Sequence, residues 1–276
     1  MTMNNNTQYL LKTAIQAALQ AGREIMQIYT DPSQDFGIEK KADNSPLTLA
    51  DKAAHCRIMT FLEPTGIPVL SEEGRHLPFE ERQAWERLWV VDPLDGTKEF
   101  IKKNGEFTVN IALVDGQQPV MGVIYVPAKG DLYWGSERGA FKASVPCGEV
   151  FPDVEDIFPQ SSSLPLQGAV HDGFVVVASR SHMSIETQDY VNEMSRIHRQ
   201  VELISSGSSI KICMVAEGTA DAYPRYAPTM EWDTAAGDAI ARAAGCSVIN
   251  AETGCPLKYN KEDLLNPWFL VESGEK

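Results

Sequence analysis

Three hydrophobic patterns succeed one another along the 276 residues, and their order limits the chain to a layered mixture of helices and sheets. Leu11, Ile15, Ala18, Leu19, Ile25 and Ile28 recur at helical spacing in the first segment, which Asp31-Pro32 closes. A second helix is predicted over "SPLTLADKAAHCRIMTFLEPTG", ended by Pro64 and Gly66. The pattern then turns short, β-rich and turn-bounded in "IPVLSEE", "LWVVDP", "FTVNIALVDG", "QPVMGVIYVP", "GDLYWGSE" and "GAFKAS". Asp115-Gly116 and Lys129-Gly130 predict hairpins and an antiparallel sheet. From "GFVVVAS" to "CSVIN" strands and helices alternate, which argues for an α/β layer. Residues 145–170, rich in Pro, Ser and acids, are the expected connection. An α+β half, residues 1–150, is then followed by an α/β half, residues 151–276, and the whole is an α/β (α+β) stack of helices, antiparallel sheet, helices, mixed sheet and helices.

The formal net charge of −14 argues against a broad basic face for duplex nucleic acid. It leaves room for a small anion, because metal ions bridge acids to phosphate. No apolar run approaches the roughly 20 residues of a membrane span. The N-terminus "MTMNNNTQYL" does not read as a signal peptide, so the expected compartment is the cytoplasm, with a peripheral position at the inner face of the cell membrane left open. The five scattered cysteines form no C-x-x-C pair and support neither a zinc site nor a disulfide framework. Oligomeric state is not legible.

The chemistry gathers where "WVVDPLDGTKEF" breaks off an apolar run at Asp92. Asp, Pro and Gly also make ordinary turns, and D-P-x-D-G alone reads first as one. Three neighbours change that reading. Glu72 ends the run "IPVLSEE", Thr97 and a helix start follow Asp95 and Gly96, and "MEWDTAAGDA" puts Asp233 at the start of a small-residue helix. Converging carboxylates repel one another and need cations, and hard oxygen ligands select Mg²⁺ or Mn²⁺ over zinc. A metal pair of that kind activates water and stabilises a leaving oxygen, as phosphomonoester hydrolysis requires. Backbone N–H groups around Gly96 and Thr97 would hold phosphate oxygens.

"LSEE", "WVVDPLDGT" and "EWDTAAGDA", in that order and at these separations, resemble the lithium-sensitive, magnesium-dependent inositol monophosphatase superfamily. "KADNSPLTLAD", "DPLDGTKEFIKKNGEFTVNIALVDG", "SRSH" and "GSSIKICMVAEGTADAYPR" resemble its bisphosphate-nucleotidase branch, and the resemblance covers nearly the whole chain. It implies a five-layer αβαβα sugar-phosphatase fold and hydrolysis of the 3′-phosphate of 3′-phosphoadenosine 5′-phosphate (PAP) to AMP and phosphate, in sulfur assimilation and PAP recycling. Its sulfated precursor PAPS is a second substrate to weigh. The resemblance further implies two Mg²⁺ ions. Glu72, Asp92 and the Leu94 carbonyl would hold the first and Asp92, Asp95 and Asp233 the second, with a third, weakly held ion at Glu72. Asp51 would accept a hydrogen bond from Thr97, which orients the attacking water.

Substrate choice is expected from the second half. Arg180, Ser181 and His182 follow an apolar strand, "SSGSSIK" resembles a turn opening a helix, and Lys211 and Arg225 add positive charge. The resemblance assigns His182, Ser208, Lys211 and Arg225 to the nucleotide and its second phosphate. Read alone, Lys211 and Arg225 read first as surface cations and His182 as a helix cap. Glu231 either contacts ribose or faces water. The rival readings are an inositol monophosphatase or a fructose-1,6-bisphosphatase-like sugar phosphatase and, from another class, a non-catalytic metal- or nucleotide-binding protein.

Overall fold

Side chains alternate between two cores along the strands, and that alternation sets the layers. The computed structural model describes residues 5–33, 36–40, 46–75, 77–148, 150–168, 171–179 and 184–274. Helices α1 (Asn5–Thr30) and α2 (Leu49–Leu62) pack on each other, with a short antiparallel pair between them, β1 (Glu39–Lys40) and β2 (Pro46–Leu47). Thr48 and Asp51 form a capping box that starts α2.

The first sheet contains β3 (Val69–Ser71), β4 (Arg87–Asp95), β5 (Thr108–Asp115), β6 (Gln118–Val126), β7 (Asp131–Ser136), β8 (Gly139–Ser144) and β9 (Ser162–Ser163), side by side in chain order. β3 and β4 are parallel and the other neighbours antiparallel. Short helices α3 (Phe79–Arg82) and α4 (Thr97–Ile101) flank β4, and α5 (Val154–Ile157) precedes β9. Trp89, Val91, Val109, Ile111 and Val123 point to the core under α1 and α2. Leu88, Val90, Ala112, Val114 and Ile124 point the other way, into a core shared with the second half. The chain past residue 150 still serves the first sheet: Val154 and Ile157 enter its core and β9 adds to its edge.

The second sheet has the order β11–β10–β12–β14–β13, from β10 (Phe174–Ser179), β11 (Val201–Ser206), β12 (Ala222–Arg225), β13 (Ser247–Asn250) and β14 (Phe269–Glu272). Its outer face carries α6 (Ile185–Ile197), around Val176, Tyr190 and Val191. Its inner face meets α7 (Ile210–Glu217) and α8 (Glu231–Ala243), which lie between the two sheets. The stack is therefore helix pair, sheet, helix pair, sheet, helix, the five layers expected. β14 was not expected, yet it joins β12 and β13 antiparallel and closes the sheet. α8 is lined with Ala235, Ala236 and Ala241 and approaches β6 closely: a Cβ on Gly122 would lie 2.2 Å from the Ala236 carbonyl oxygen. This close packing brings Asp233, at the start of α8, up to the first sheet.

Candidate active site

β4 was expected to stop at Asp92, but it runs on to Asp95 through a bulge. Asp92 pairs with Asn110 and Asp95 with Thr108, so two residues of β4, Pro93 and Leu94, oppose Val109 alone on β5. Pro93, which has no N–H to give the ladder, lies in the irregular stretch. In a regular strand, residues three apart point to opposite faces. The extra residue puts both acids on the face that Val90 and Ala112 turn toward the second half. Two acids at the end of a buried strand are thus aimed at one place.

Asp233 arrives from the other side. Its Oδ2 accepts the Met230 N–H at 2.8 Å, which fixes the carboxylate on the first turn of α8. Oxygens of Asp92, Asp95 and Asp233 all lie within 4.8 Å of one another. Glu72, in the turn after β3, comes close enough to hydrogen-bond Asp92, and its own N–H is tied to the Val91 carbonyl at 3.1 Å. Burial first, and then Glu72, Asp95 and Asp233, push the Asp92 carboxyl well above the usual carboxylate range. Burial also raises Asp233, and Asp95 adds to it. Asp95 is raised to about 6 by burial, held down by the Lys211 ammonium and by the Ser209 N–H that it accepts at 2.6 Å. Such a cluster is costly without a cation. With carboxylate oxygens as its donors it fits Mg²⁺ or Mn²⁺.

Leu94 donates its N–H to Asp92 Oδ1 at 3.0 Å, and its carbonyl accepts from the Thr97 hydroxyl at 3.4 Å. Thr97 also donates to Asp51 Oδ1 at 3.2 Å. Asp51 is 1% exposed, and its Oδ2 accepts the Thr48 N–H and hydroxyl at 2.7 and 2.6 Å. α4, which Gly96 and Thr97 open, has only five residues.

Beside the cluster runs a cleft lined by Asp95, Gly96, Asp233, Ser206–Ser209, Lys211, Tyr223 and Arg225. Lys211 is 5% exposed, lies over the Tyr223 ring and donates to the carbonyls of Ser206 and Ser208, at 3.3 and 2.5 Å. Burial brings its pKa down to about 8, opposed by Asp95. Arg225 donates to the Pro228 carbonyl at 3.1 Å, while among the described residues its buried Nε has no hydrogen-bond partner. Ser208, at φ +46°, likewise has a buried hydroxyl with no partner among the described residues. Neither Lys211 nor Arg225 is a loose surface cation.

Arg180, Ser181 and His182 lie outside the described residues. Glu231 neither lines the cleft nor faces water. It is fully buried, accepts the N–H groups of Asn260 and Lys261, and pairs with the Lys261 ammonium at 2.5 Å. Ser209 and Tyr223 were not anticipated at the site. Ser209 sits within the "SSGSSIK" turn, but only its spatial partners, about a hundred residues away in sequence, give it a role.

The sequence profile of the inositol monophosphatase family matches residues 6–273. The chain belongs to the inositol monophosphatase family. Among curated relatives, the 3′(2′),5′-bisphosphate nucleotidase CysQ of Shigella flexneri is 46% identical over 266 residues, covering 95% of this chain and 99% of that protein. CysQ of Escherichia coli strain K12 is 45% identical over 265 residues, with the same coverage of 95% and 99%. The crystal structure of CysQ from Bacteroides thetaiotaomicron, described as a bacterial member of the inositol monophosphatase family, superposes with a TM-score of 0.89 at 54% identity over 100% of both chains. The inositol monophosphatase from Anabaena shares the fold, with a TM-score of 0.69 over 98% of this chain and 92% of that one at 24% identity. Inositol monophosphatase family members are generally metal-dependent phosphatases, and the carboxylate cluster on β4 and α8 fits that chemistry. Among the described residues, no helix is long and apolar enough to cross a membrane.

Proposed function

We propose that this protein is a Mg²⁺-dependent 3′(2′),5′-bisphosphate nucleotidase that cuts the 3′-phosphate from PAP, leaving AMP and phosphate. The observation that carries the reading is one cleft in which a carboxylate cluster meets Lys211, Arg225 and the Ser206–Ser209 loop. The relatives named bisphosphate nucleotidase, at 45–46% identity over 95% of the chain, support it. An inositol monophosphate has no second phosphate to occupy the cationic end, and a non-catalytic binding protein has no use for the Thr97–Asp51 pair.

Glu72, Asp92, the Leu94 carbonyl, Asp95 and Asp233 would hold two Mg²⁺ ions, with Glu72 able to touch a third. When bound, the ions would polarise the phosphoryl oxygens and acidify water. Thr97 donates its hydroxyl hydrogen bond to Asp51 Oδ1, which leaves its lone pairs to accept a hydrogen bond from the attacking water and point that water at phosphorus. Asp51 keeps its orientation because its second oxygen is held by Thr48. The Gly96 and Thr97 N–H groups steady the phosphate being cut. Ser208, Lys211 and Arg225, together with Arg180, Ser181 and His182, bind the rest of the nucleotide, and the same contacts admit PAPS. Phosphate monoesters hydrolyse very slowly in water, so electrostatic stabilisation of the transition state supplies most of the acceleration. The reading includes a cytoplasmic location.

The test is phosphate release from PAP, inositol 1-phosphate and fructose 1,6-bisphosphate, each with Mg²⁺ and with excess chelator. The reading expects Mg²⁺-dependent release with PAP strongly preferred. Equal or better use of either sugar phosphate sinks the nucleotide assignment, and full turnover in chelator sinks the metal assignment.

A further inference from the structure

The loop at residues 206–209 does not stand alone. It is held by the first half, at and just before β5. Glu106 Oε2 accepts the Gly207 N–H at 2.9 Å, and a Cβ on Gly207 would come within 2.8 Å of the Glu106 carbonyl oxygen. The next contacts converge on Ser209, which is 4% exposed. Its N–H goes to Asp95 Oδ2 at 2.6 Å. Its hydroxyl lies 2.8 Å from Asn110 Oδ1 and 2.8 Å from the Thr108 hydroxyl. The Asn110 carbonyl can only accept, so the chain runs Thr108 O–H to Ser209 Oγ, and Ser209 O–H to Asn110. Thr108 and Asn110 are the register partners of Asp95 and Asp92, so the anchor is built into the strand pair that carries the acids. All three hydroxyl and amide groups are buried, at 0%, 1% and 4% exposure for Thr108, Asn110 and Ser209.

Ser209 thus touches both functions at once. Its backbone fixes one oxygen of Asp95, and its position fixes the turn that presents Ser208 and the Lys211 helix to the cleft. We propose that Ser209, through its hydroxyl hydrogen bonds to Thr108 and Asn110, is a positioning residue that holds Asp95 and the 206–209 loop as one rigid unit, so that a single side chain sets both metal affinity and selectivity for a bisphosphorylated nucleotide. The selectivity half rests on the nucleotidase reading above. The metal half does not.

Two readouts separate this role from a merely structural one. The first is the affinity of the metal-free protein for Mn²⁺ alone, measured by titration calorimetry. The second is kcat/KM for PAP divided by kcat/KM for a simple monophosphate. Ser209→Ala keeps the backbone N–H and removes the hydroxyl. It should weaken Mn²⁺ binding and lower the ratio together, each by roughly 2- to 12-fold, the effect of about one net hydrogen bond. Ser209→Thr restores the hydroxyl and should recover both. Glu106→Ala releases the loop at Gly207 without touching Asp95, and should lower the ratio while Mn²⁺ affinity stays put. If Ser209→Ala is unfolded by circular dichroism, Thr108→Val, which withdraws one of the hydroxyl's partners, carries the same two readouts. The proposal is overturned if either readout stays at the wild-type value in the folded variant, or if Glu106→Ala weakens Mn²⁺ binding as much as Ser209→Ala does. Should wild type itself show no preference for PAP, the nucleotidase reading fails, and the Mn²⁺ titration still decides whether Ser209 positions Asp95.

Discussion

The Thr97 hydroxyl reaches Asp51 Oδ1 at 3.2 Å across 46 residues of sequence, joining the start of α4 to the first turn of α2. One carboxylate therefore caps a helix with one oxygen and orients a hydroxyl with the other. Thr97→Ala should lower kcat by about 10²- to 10⁴-fold, the usual contribution of a positioned proton-transfer group. Mn²⁺ affinity should change little, and Thr97→Ser should keep most of the rate. A Thr97→Ala enzyme with normal kcat but weakened metal binding would make Thr97 a structural residue. Asp51→Ala should lose the rate and also about 0.5–2 kcal/mol of stability, because it removes the cap as well.

Metal binding should strengthen with rising pH. Asp95 titrates at about 6, Asp92 and Asp233 are displaced upward as well, and the metal binds the ionised forms. Calorimetry in two buffers of different ionisation enthalpy should therefore show protons released on Mn²⁺ binding, with affinity climbing from pH 5 through pH 8. In the metal-free protein the sign reverses. Acids with raised folded-state pKa values hold protons that the unfolded chain has lost, so folding stability falls as pH rises. Chelation should consequently lower Tm more at pH 8 than at pH 5. An affinity that does not vary with pH, with no proton release, would mean that the carboxylates are already ionised without metal.

Asp238 makes a second pH effect, away from the metals. It is 0% exposed on α8, and Tyr259 donates to its Oδ2 at 2.8 Å, while among the described residues Oδ1 has no hydrogen-bond partner. Burial lifts its pKa from 3.8 to about 7, against the opposing effects of Tyr259 and Arg242. The folded state binds the proton more tightly than the unfolded state. Its contribution is therefore full below about pH 4 and is lost as pH rises toward 7, at up to roughly 1.4 kcal/mol per pH unit. Asp238→Asn keeps the shape and removes the titration. Relative to wild type it should gain stability from pH 5 to pH 8 in urea unfolding, and a difference constant with pH would refute the assignment.

What the sequence shows of this molecule is whatever depends on neighbours along the chain. The helical spacing from Leu11 to Ile28, the hairpin turn at Asp115-Gly116 and the acids after the "LWVV" run all report local preferences, and the elements stand where those preferences put them. The bulge at Pro93-Leu94 was read as a strand end because Pro is a strong breaker. Only pairing with Thr108 and Asn110 carries β4 past it. β14 escaped because "WFLVE" is a short apolar run, and its place between β12 and β13 is a tertiary fact. Glu231 is the clearest miss. A glutamate two residues before Asp233 reads as solvent or substrate contact, yet it is buried because Lys261 and the turn at Asn260 fold back over it. No local pattern encodes a partner 30 residues away.

Lys211 and Arg225 were assigned one shared task, and their surroundings divide it. Lys211 is buried, and two of its three N–H donors hold the Ser206 and Ser208 carbonyls, so much of what it does is to shape the loop. Arg225 donates to the Pro228 carbonyl and hydrogen-bonds Tyr223, and among the described residues its buried Nε beside the cleft has no partner. A buried guanidinium N–H without an acceptor is costly, and an anionic ligand group offsets that cost. Arg225→Ala should accordingly act on substrate choice. Losing a charge-assisted hydrogen bond, about 1.5–3 kcal/mol, lowers kcat/KM for PAP relative to a simple monophosphate by about one to two decades. Its Tm should stay near wild type, since the packing around Arg225 is partly open. Lys211→Ala should lower the same ratio and also Tm, because two loop carbonyls lose their donor and the Tyr223 ring loses the ammonium above it. Thermal melts and the two specificity constants, measured on both variants, separate the roles. A large loss of Tm in Arg225→Ala with an unchanged ratio would assign the second phosphate to another part of the site.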